Sequence, residues 1–163
     1  MKKKQNKNYT LPLVASICVV SFIVMILALV SGEKQEQAVF TPPSFDAAAQ
    51  IGIPTVPDGL GYSELDAQVY KVSVCGEIIS DGDIADIWLT NPESNDVWLK
   101  LRVLDAKGNI LGETGLIRPG EYVQSVTLEQ APKRGTQIVL KLMAYEPETY
   151  YSAGAVSLNT VIR

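Results

Sequence analysis

From Ala67 onward, apolar and polar residues alternate with a period of two. The clearest run lies at residues 97–105 and places four apolar residues on one face: Val97, Leu99, Leu101 and Val103. Successive side chains of a β-strand point to opposite faces, so this alternation predicts strands with one buried face. Turn-forming residues interrupt the runs roughly every ten residues, and no segment after residue 67 shows the period of a helix. The pattern predicts an all-β domain.

Residues 67–163 contain seven or eight such runs in 97 residues. This number of short strands and turns is typical of an antiparallel β-sandwich of immunoglobulin-like type. A segment of this length suffices for one two-layer core but not for two. The Cys–Trp–Cys signature of antibody domains is missing. We therefore expect the immunoglobulin-like architecture without the antibody-type disulfide.

Before this domain, the segment Leu11–Val30 has 20 residues and no charge. As a helix it would be roughly 30 Å long, which matches the hydrocarbon core of a bilayer. We expect residues 11–31 to be an uncleaved transmembrane signal anchor in contact with the lipid bilayer. The alternative is a cleaved signal peptide with its site near Val30–Gly32, but the apolar run exceeds the roughly 7–15 residues usual for one.

The first ten residues contain four lysines, and no acidic residue precedes Glu33. Positive charge beside a membrane segment favours the cytoplasmic side. Residues 1–10 are therefore interpreted as a basic cytoplasmic tail, and the β domain as extracytoplasmic. The expected location is the plasma membrane, in a single-pass arrangement.

Residues 32–66 differ in composition from both neighbours. They contain four of the nine prolines: Pro42, Pro43, Pro54 and Pro57. Prolines at this density prevent a continuous helix or a central strand, so we expect a semi-extended stalk. The segment also holds apolar residues: Phe40, Phe45, Ile51, Ile53 and Val56. Part of the stalk is therefore expected to lie against the domain or a partner.

The charge balance and the residue types exclude several functions. From Glu33 onward there are 10 basic and 18 acidic residues, so nucleic-acid binding is disfavoured. The chain has no His, which rules out a Ser–His–Asp arrangement. Of its two cysteines, Cys18 lies in the predicted membrane segment and Cys75 in a predicted strand, so we expect their sulfur atoms to be too far apart for a disulfide. We find no catalytic residues and no cofactor motif, and we expect a protein that is not an enzyme.

The acidic stretch around residues 81–86 has carboxylates of the kind that bind calcium. It contains Asp81, Asp83 and Asp86, but the spacing that an EF-type loop requires is absent. We interpret the stretch as a solvated turn and predict no metal site. Glu77 and Asp81 could form a carboxylate pair, but 18 acidic residues from Glu33 onward make chance pairs of this kind expected.

Aromatic residues give the only candidates for a binding surface: Trp88, Trp98, Tyr150 and Tyr151. The two tryptophans fall opposite the aliphatic faces of their predicted strands, which suits recognition of a peptide or a glycan. If residues 84–90 and 97–105 form a hairpin, pairing Ile87 with Leu99 also pairs Trp88 with Trp98. The alternative is ordinary cross-strand packing, or cover by the stalk's aromatic residues.

The stretches "LTNPESNDVWLKLRVLDAKGNILGETGLIRPGEYVQSVTL" and "KLMAYEPETYYSAGAVSLNT" resemble small membrane-anchored proteins of Gram-positive bacteria. Such proteins have a basic tail, one membrane helix, a short stalk and one immunoglobulin-like β domain. The resemblance implies the same layout here and a role at the cell surface. It carries no functional residues.

These observations lead to three expectations of function. The first is a non-enzymatic membrane protein whose β-sandwich binds or positions a protein partner in a surface or envelope assembly. The second is a module that binds glycan or peptidoglycan through Trp88 and Trp98. The third is an accessory of an envelope hydrolase that uses a pair of carboxylates, which would require two carboxyl groups in one cleft.

Overall fold

The structure is a computed structural model that describes residues 20–26 and 40–163. Two compact units are present, Met1–Phe40 and Thr41–Arg163. In the first unit, residues 20–26 are helical and exposed.

No helix among the described residues has the length and apolar character needed to cross a membrane. The basic tail predicted at residues 1–10 and Cys18 lie outside the described residues, as does most of the anchor predicted at residues 11–31. The expected transmembrane helix is therefore not supported by the structure.

The second unit consists of β-strands and loops. Its described residues form ten strands: β1 (Gln50–Ile51), β2 (Ser63–Asp66), β3 (Lys71–Val74), β4 (Ile79–Asp81), β5 (Ile84–Thr90), β6 (Trp98–Asp105), β7 (Ile110–Glu113), β8 (Glu121–Thr127), β9 (Gln137–Tyr145) and β10 (Ser152–Val161). The all-β prediction for this part of the chain is confirmed.

The strands form two antiparallel sheets around one hydrophobic core. The six-stranded sheet has the order β1-β8-β5-β3-β2, and β4 pairs with the beginning of β5. The four-stranded sheet has the order β10-β9-β6-β7. The alternation read in the sequence matches the burial, because Leu99, Leu101 and Val103 in β6 are all 0% exposed. These findings are consistent with a β-sandwich.

The apolar run at residues 68–79 is divided between two strands. Strand β3 ends at Val74, and β4 begins at Ile79. Between them, Cys75 and Glu77 donate backbone hydrogen bonds to Ile87 and Leu60, respectively. The apolar pattern continues through this break because Cys75 and Ile78 are buried there, so periodicity alone did not reveal it.

The predicted hairpin of residues 84–90 and 97–105 is wrong. β5 pairs with β8 in the six-stranded sheet, and β6 pairs with β9 in the four-stranded sheet. The connection between them crosses from one sheet to the other. Two buried asparagines, Asn91 and Asn95, hold this crossing with their side-chain amides. A turn-rich connection of this length fits either geometry, and the sequence does not distinguish them.

The segment expected to be a stalk, residues 32–66, is described from residue 40, and the compact unit begins at Thr41 rather than at residue 67. Phe45 forms a parallel bridge with Leu116, beside the four-stranded sheet. A few residues later, β1 pairs with β8 in the six-stranded sheet. The prolines limit these pairings to short edge contacts. They do not keep the segment away from the domain.

Candidate functional site

One face of the six-stranded sheet carries a row of polar residues. Ser73 lies between the buried Val72 and Val74, so its side chain points away from the core. The row crosses five strands, and each of its residues is paired with the next one in the neighbouring strand: Gln50, Tyr122, Thr90, Ser73 and Glu64. Every member can form hydrogen bonds through its side chain. The sheet thus presents a continuous polar row on its outer face.

Hydrogen bonds fix the side chains of this row. The Tyr122 hydroxyl donates to Gln50 Oε1 at 2.9 Å. The Tyr62 hydroxyl donates to Thr90 Oγ1 at 2.7 Å. At the far edge, Lys71 Nζ lies 2.8 Å from Glu64 Oε1, and both side chains are half exposed. These contacts hold the row in one arrangement.

A cleft of about 480 Å³ lies over part of this row. The chain runs from β1 at one edge of the sheet to β2 at the other, and the cleft lies along that path. Its lining includes two carboxylates, three residues with hydroxyl groups and four apolar residues: Glu64, Glu93, Tyr62, Ser73, Thr90, Ile51, Ile53, Pro92 and Pro119. The volume is within the range of ligand sites in proteins.

The rim of the cleft exposes two large apolar side chains. Ile51 is 89% exposed and Ile53 is 91% exposed. Isolated apolar side chains are common on protein surfaces, but two neighbouring isoleucines beside a cleft form an apolar contact surface. Sequence reasoning noted both residues as apolar members of the stalk and did not place them at a site. Their separation by Gly52 in an "IGI" sequence was the available signal.

The mouth of the cleft is held by an asparagine network. Asn91 Nδ2 donates to the carbonyls of Val97 and Ile117 at 2.8 and 3.1 Å. Asn95 Nδ2 donates to Asn91 Oδ1 and to the Lys71 carbonyl, and Asn95 Oδ1 accepts from the Lys71 amide. Both amide groups are thereby satisfied within the interior. This network fixes the loop that carries Pro92 and Glu93.

The neighbouring turn closes against the same loop. Gly120 N–H donates to the Asn91 carbonyl at 2.8 Å, and Asn91 N–H donates to the Glu121 carbonyl at 2.9 Å. Gly120 has a φ of 79°, which glycine adopts without steric cost. The cleft is therefore bordered at this end by two loops that are hydrogen-bonded to each other.

An aromatic cluster lies near this end of the domain. The Trp98 ring contacts Phe45 and Tyr150 edge to face, with centroids 4.8 and 5.2 Å away. The Arg118 guanidinium lies 3.6 Å from the centre of the Phe45 ring, a cation–π contact. These contacts cover part of the Trp98 surface. They join the segment around Phe45 to β6 and to the loop between β9 and β10.

That loop, residues 146–151, has a strained backbone. Glu148 and Tyr150 have φ values of 65° and 58°, which are uncommon for residues with a side chain. Two backbone bonds close the loop, from Glu146 N–H to the Tyr151 carbonyl and from Tyr150 N–H to the Glu146 carbonyl. The loop presents Tyr151, whose side chain is 71% exposed.

The four predicted binding residues do not form one surface. Trp88 lies in the six-stranded sheet, is 8% exposed and stacks on Tyr122 with ring centroids 6.5 Å apart. Trp98 lies in the four-stranded sheet and contacts Tyr150. Tyr151 is the most exposed of the four. The structure thus brings Trp98, Tyr150 and Tyr151 to one end of the domain and separates them from Trp88.

The burial of Trp88 has a local cause. β5 contains an irregularity between Asp86 and Leu89, and Trp88 itself has a φ of 50°. Such a bulge redirects the side chains around it. Within the described residues, Trp88 Nε1 is buried and has no hydrogen-bond partner. A strict period of two cannot anticipate this arrangement.

Cys75 and Glu113 are among the titratable groups of the domain whose pKa values are shifted. Burial raises the pKa of the Cys75 thiol to about 11, with a smaller contribution from the charge of Asp86. Glu113 is partly buried, which would raise its pKa, but hydrogen bonds from Lys100 and Arg102 lower it. The described ranges 20–26 and 40–163 contain no group of three or more His, Cys, Asp or Glu residues placed to hold a metal ion.

The chain was compared with known proteins. No protein-family model matches it, and no curated protein is similar to it in sequence. The resemblance to anchored proteins of Gram-positive bacteria gains no support from these comparisons, and it remains a hypothesis.

Proposed function

We propose that this chain is a non-enzymatic protein, tethered to the plasma membrane, whose β-sandwich binds an extended segment of a protein partner. The basic N-terminal residues and the apolar run after them are the reason for the tether. The cleft beside Ile51 and Ile53 is the reason for proposing a protein partner. This placement corresponds to a single-pass protein with its sandwich outside the cytoplasm.

The observation that carries the proposal is the exposure of the two rim isoleucines, 89% and 91%. Burying a side chain of this size against a partner is worth roughly 1.5–3 kcal/mol. Below the rim, Ser73 offers a hydroxyl group to a polar backbone, whereas the buried Thr90 hydroxyl already accepts a hydrogen bond from Tyr62. Glu93 adds negative charge to the lining, whereas the charge of Glu64 is paired with that of Lys71. The complementary ligand is an extended peptide segment with apolar side chains and at least one basic side chain.

The immunoglobulin-like assignment is part of the same proposal and is supported by the strand order. β10-β9-β6-β7 corresponds to the order G-F-C-C′, and β3-β5-β8 to A-B-E. A parallel bridge joins Ile78 to Ile162, the position where an A′ strand lies beside strand G. Under this correspondence, β1 and β2 are additional edge strands. Sandwiches of this type display their binding surfaces on loops and edges.

Charge argues against nucleic acid as the partner. Residues 41–163 carry nine Lys and Arg against sixteen Asp and Glu. A surface with this excess of negative charge repels phosphate backbones. An acidic cleft instead favours partners with basic segments.

Site-specific photo-crosslinking in cells tests the proposal. A photoreactive amino acid replaces Ile53 in one variant and Ile84 in a control. Ile84 is 48% exposed and lies at the other end of β5 from the cleft. We expect a discrete protein adduct from position 53 and none from position 84. Adducts of equal yield at both positions, or none at position 53, would contradict the proposal.

Glycan or peptidoglycan binding remains the alternative function. The surface proposed for it no longer includes Trp88. Trp88 is 8% exposed, so it is not available for stacking on a sugar. The remaining candidate is Tyr151 with its neighbours Trp98 and Tyr150. Binding of soluble cell-wall fragments that is lost in Tyr151→Ala and retained in Ile53→Asp would favour this alternative.

A further inference from the structure

The last strand of the domain is an edge strand. β10 runs from Ser152 to Val161, and among the described residues its strand partner is β9 alone. Its C-terminal end is partly covered, because Ile162 forms a bridge with Ile78 and Arg163 N–H donates to the Ile78 carbonyl. The part of β10 before Thr160 is left as a long edge.

This edge lacks the usual protection against pairing with another strand. Exposed edges are normally short or interrupted by charges and prolines. β10 has ten residues, "SAGAVSLNTV", with no charge and no proline. Its one irregularity lies at the start, between Ser152 and Gly154. From Ala155 to Val161 the edge is regular.

The other sheet edges are different. β2, at one edge of the six-stranded sheet, has the sequence "SELD" and therefore two carboxylates in four residues. β1, at the opposite edge, has two residues. β7, at the other edge of the four-stranded sheet, has four residues and ends in the charged Glu113. β10 is the long uncharged edge among the described strands.

The backbone groups that face outward from β10 can be identified. Ile162 N–H donates to the Thr136 carbonyl, so it points toward the chain that continues into β9. Backbone groups of alternate residues in a strand point to opposite sides. The N–H and C=O groups of Ala155, Ser157 and Asn159 therefore point away from β9. They are available to an added strand.

An added strand would also cover apolar side chains. Val156 and Leu158 are only partly buried, although both pack against the hydrophobic core. They lie on the core-facing side of β10, where the sandwich ends. A strand placed beside β10 extends the sheet over them. The edge therefore combines unpaired backbone groups with incompletely covered apolar residues.

We propose that β10 is a self-association edge, where a second copy of this chain pairs its own β10 antiparallel around a two-fold axis at Ser157. In this register Ser157 lies opposite its counterpart, and Ala155 lies opposite Asn159. Val156 of each copy lies beside Leu158 of the other. The two four-stranded sheets become one continuous sheet.

A second copy fits this edge for reasons of charge and symmetry. The domain carries nine basic and sixteen acidic residues, so most of its surface repels an identical domain. β10 contributes no charge to that repulsion. A two-fold interface needs a patch that complements itself, and the uncharged sequence centred on Ser157 satisfies this requirement. This inference is independent of the cleft and of its proposed partner.

The first test compares the mass of the full chain and two variants by analytical ultracentrifugation in a mild non-ionic detergent. Ser157→Lys places two like charges opposite each other at the axis. Gln124→Lys adds the same charge at an exposed position of β8, away from this edge. We expect the unmodified chain and Gln124→Lys to be dimers at micromolar concentration. The dimer dissociation constant of Ser157→Lys should be higher by about tenfold or more.

The second test identifies the register by disulfide formation in a Cys18→Ser background. Hydrogen-bonded antiparallel pairs have Cα atoms about 5.5 Å apart, within the range of a disulfide. Ser157→Cys is therefore expected to give a covalent dimer on mild oxidation. In the proposed register the two copies of residue 159 are about 14 Å apart, so Asn159→Cys is the matched negative control.

The outcomes separate clearly. A monomeric unmodified chain, or a dimer that Ser157→Lys leaves intact, overturns the proposal. Equal disulfide yields from Ser157→Cys and Asn159→Cys overturn the register. An intact dimer that gives no photo-crosslink at position 53 contradicts the cleft proposal and supports the β10 proposal.

Discussion

At the scale of single residues, the buried asparagines determine how the two sheets are connected. Asn91 and Asn95 are 0% and 9% exposed, and their amides bridge β3, the crossing loop and the strand region around Ile117. A buried polar group costs stability unless it is paired, and here both amides are paired. The loop is thus held by its paired amides together with the buried Val97.

Replacing Asn95 with Ala should therefore destabilise the domain. The change leaves the Lys71 N–H, the Lys71 carbonyl and Asn91 Oδ1 without their partners. We expect the free energy of unfolding to fall by about 2–4 kcal/mol. Gln124→Ala, at an exposed position, should change it by less than about 0.5 kcal/mol. Urea unfolding followed by tryptophan fluorescence measures both, and similar losses would contradict the role of the network.

Cys75 predicts a stability change at alkaline pH. Burial raises the pKa of its thiol from 9.0 to about 11, so the folded state favours the protonated form. The resulting stabilisation is complete below pH 9 and decreases as the pH rises through 11. We expect Cys75→Ala to lose less stability between pH 8.5 and 11 than the unmodified chain, by up to about 2 kcal/mol. If the urea midpoints of the two proteins change in parallel with pH, Cys75 makes no such contribution to stability.

At the scale of elements, short edge pairings attach the N-terminal part of the domain. Asp46 N–H donates to the Leu116 carbonyl, and Leu116 N–H donates to the Ser44 carbonyl, both at 2.9 Å. Asp46 Oδ2 accepts from the Gly115 amide at 2.8 Å. The backbones approach so closely that a Cβ on Gly115 would lie 2.4 Å from Asp46 N. A side chain at this position is incompatible with the observed pairing.

Gly115→Ala should consequently loosen this edge while leaving the core intact. We expect faster hydrogen exchange at Asp46 and Leu116, together with a loss of roughly 1–3 kcal/mol in stability. Amides in the centre of β9 should keep their relative protection. Unchanged exchange at Asp46 would show that the segment adjusts without leaving the sheet.

At the scale of the whole molecule, the fold extends further toward the N-terminus than its composition suggests. The compact unit runs from Thr41 to Arg163, and it includes β1 and β2. Leu116 and Ile117 are fully buried, and the Phe45 segment bridges to Leu116. Removing residues before 67 would expose part of this core.

Two truncations test the extent of the unit. We expect a chain of residues 41–163 to unfold in one cooperative transition. A chain of residues 67–163 should be markedly less stable or fail to fold, because it lacks three edge contacts of the two sheets. Differential scanning calorimetry distinguishes these results. Equal melting temperatures would place the boundary where the composition changes.

The local pattern predicted the strands more reliably than their partners. The alternation at residues 97–105 correctly identified Leu99, Leu101 and Val103 of β6 as buried residues. The pairing of β5 with β6 was wrong because the same turn-rich sequence suits a hairpin and a crossing between sheets. The prediction that Trp88 is exposed was also wrong, because the bulge beside it depends on the register with β8.

The candidate site was less accessible to sequence reasoning than the fold. Trp98, Tyr150 and Tyr151 were named from the sequence as candidates for binding, and the contact between Trp98 and Tyr150 emerged only from the structure. Ile51 and Ile53 were assigned to a stalk, although they border the cleft. The floor of that cleft comes from β2, β3 and β5, which are separated along the chain and meet only in the folded sheet.

The amino-acid sequence by itself determined the all-β character of residues 67–163 and the identity of most core residues, since both follow from side-chain alternation along one strand. Tertiary structure decided which strands are neighbours, which aromatic residues are covered and which edge stays open. These properties depend on contacts between residues far apart in the chain, and local periodicity contains no information about such contacts.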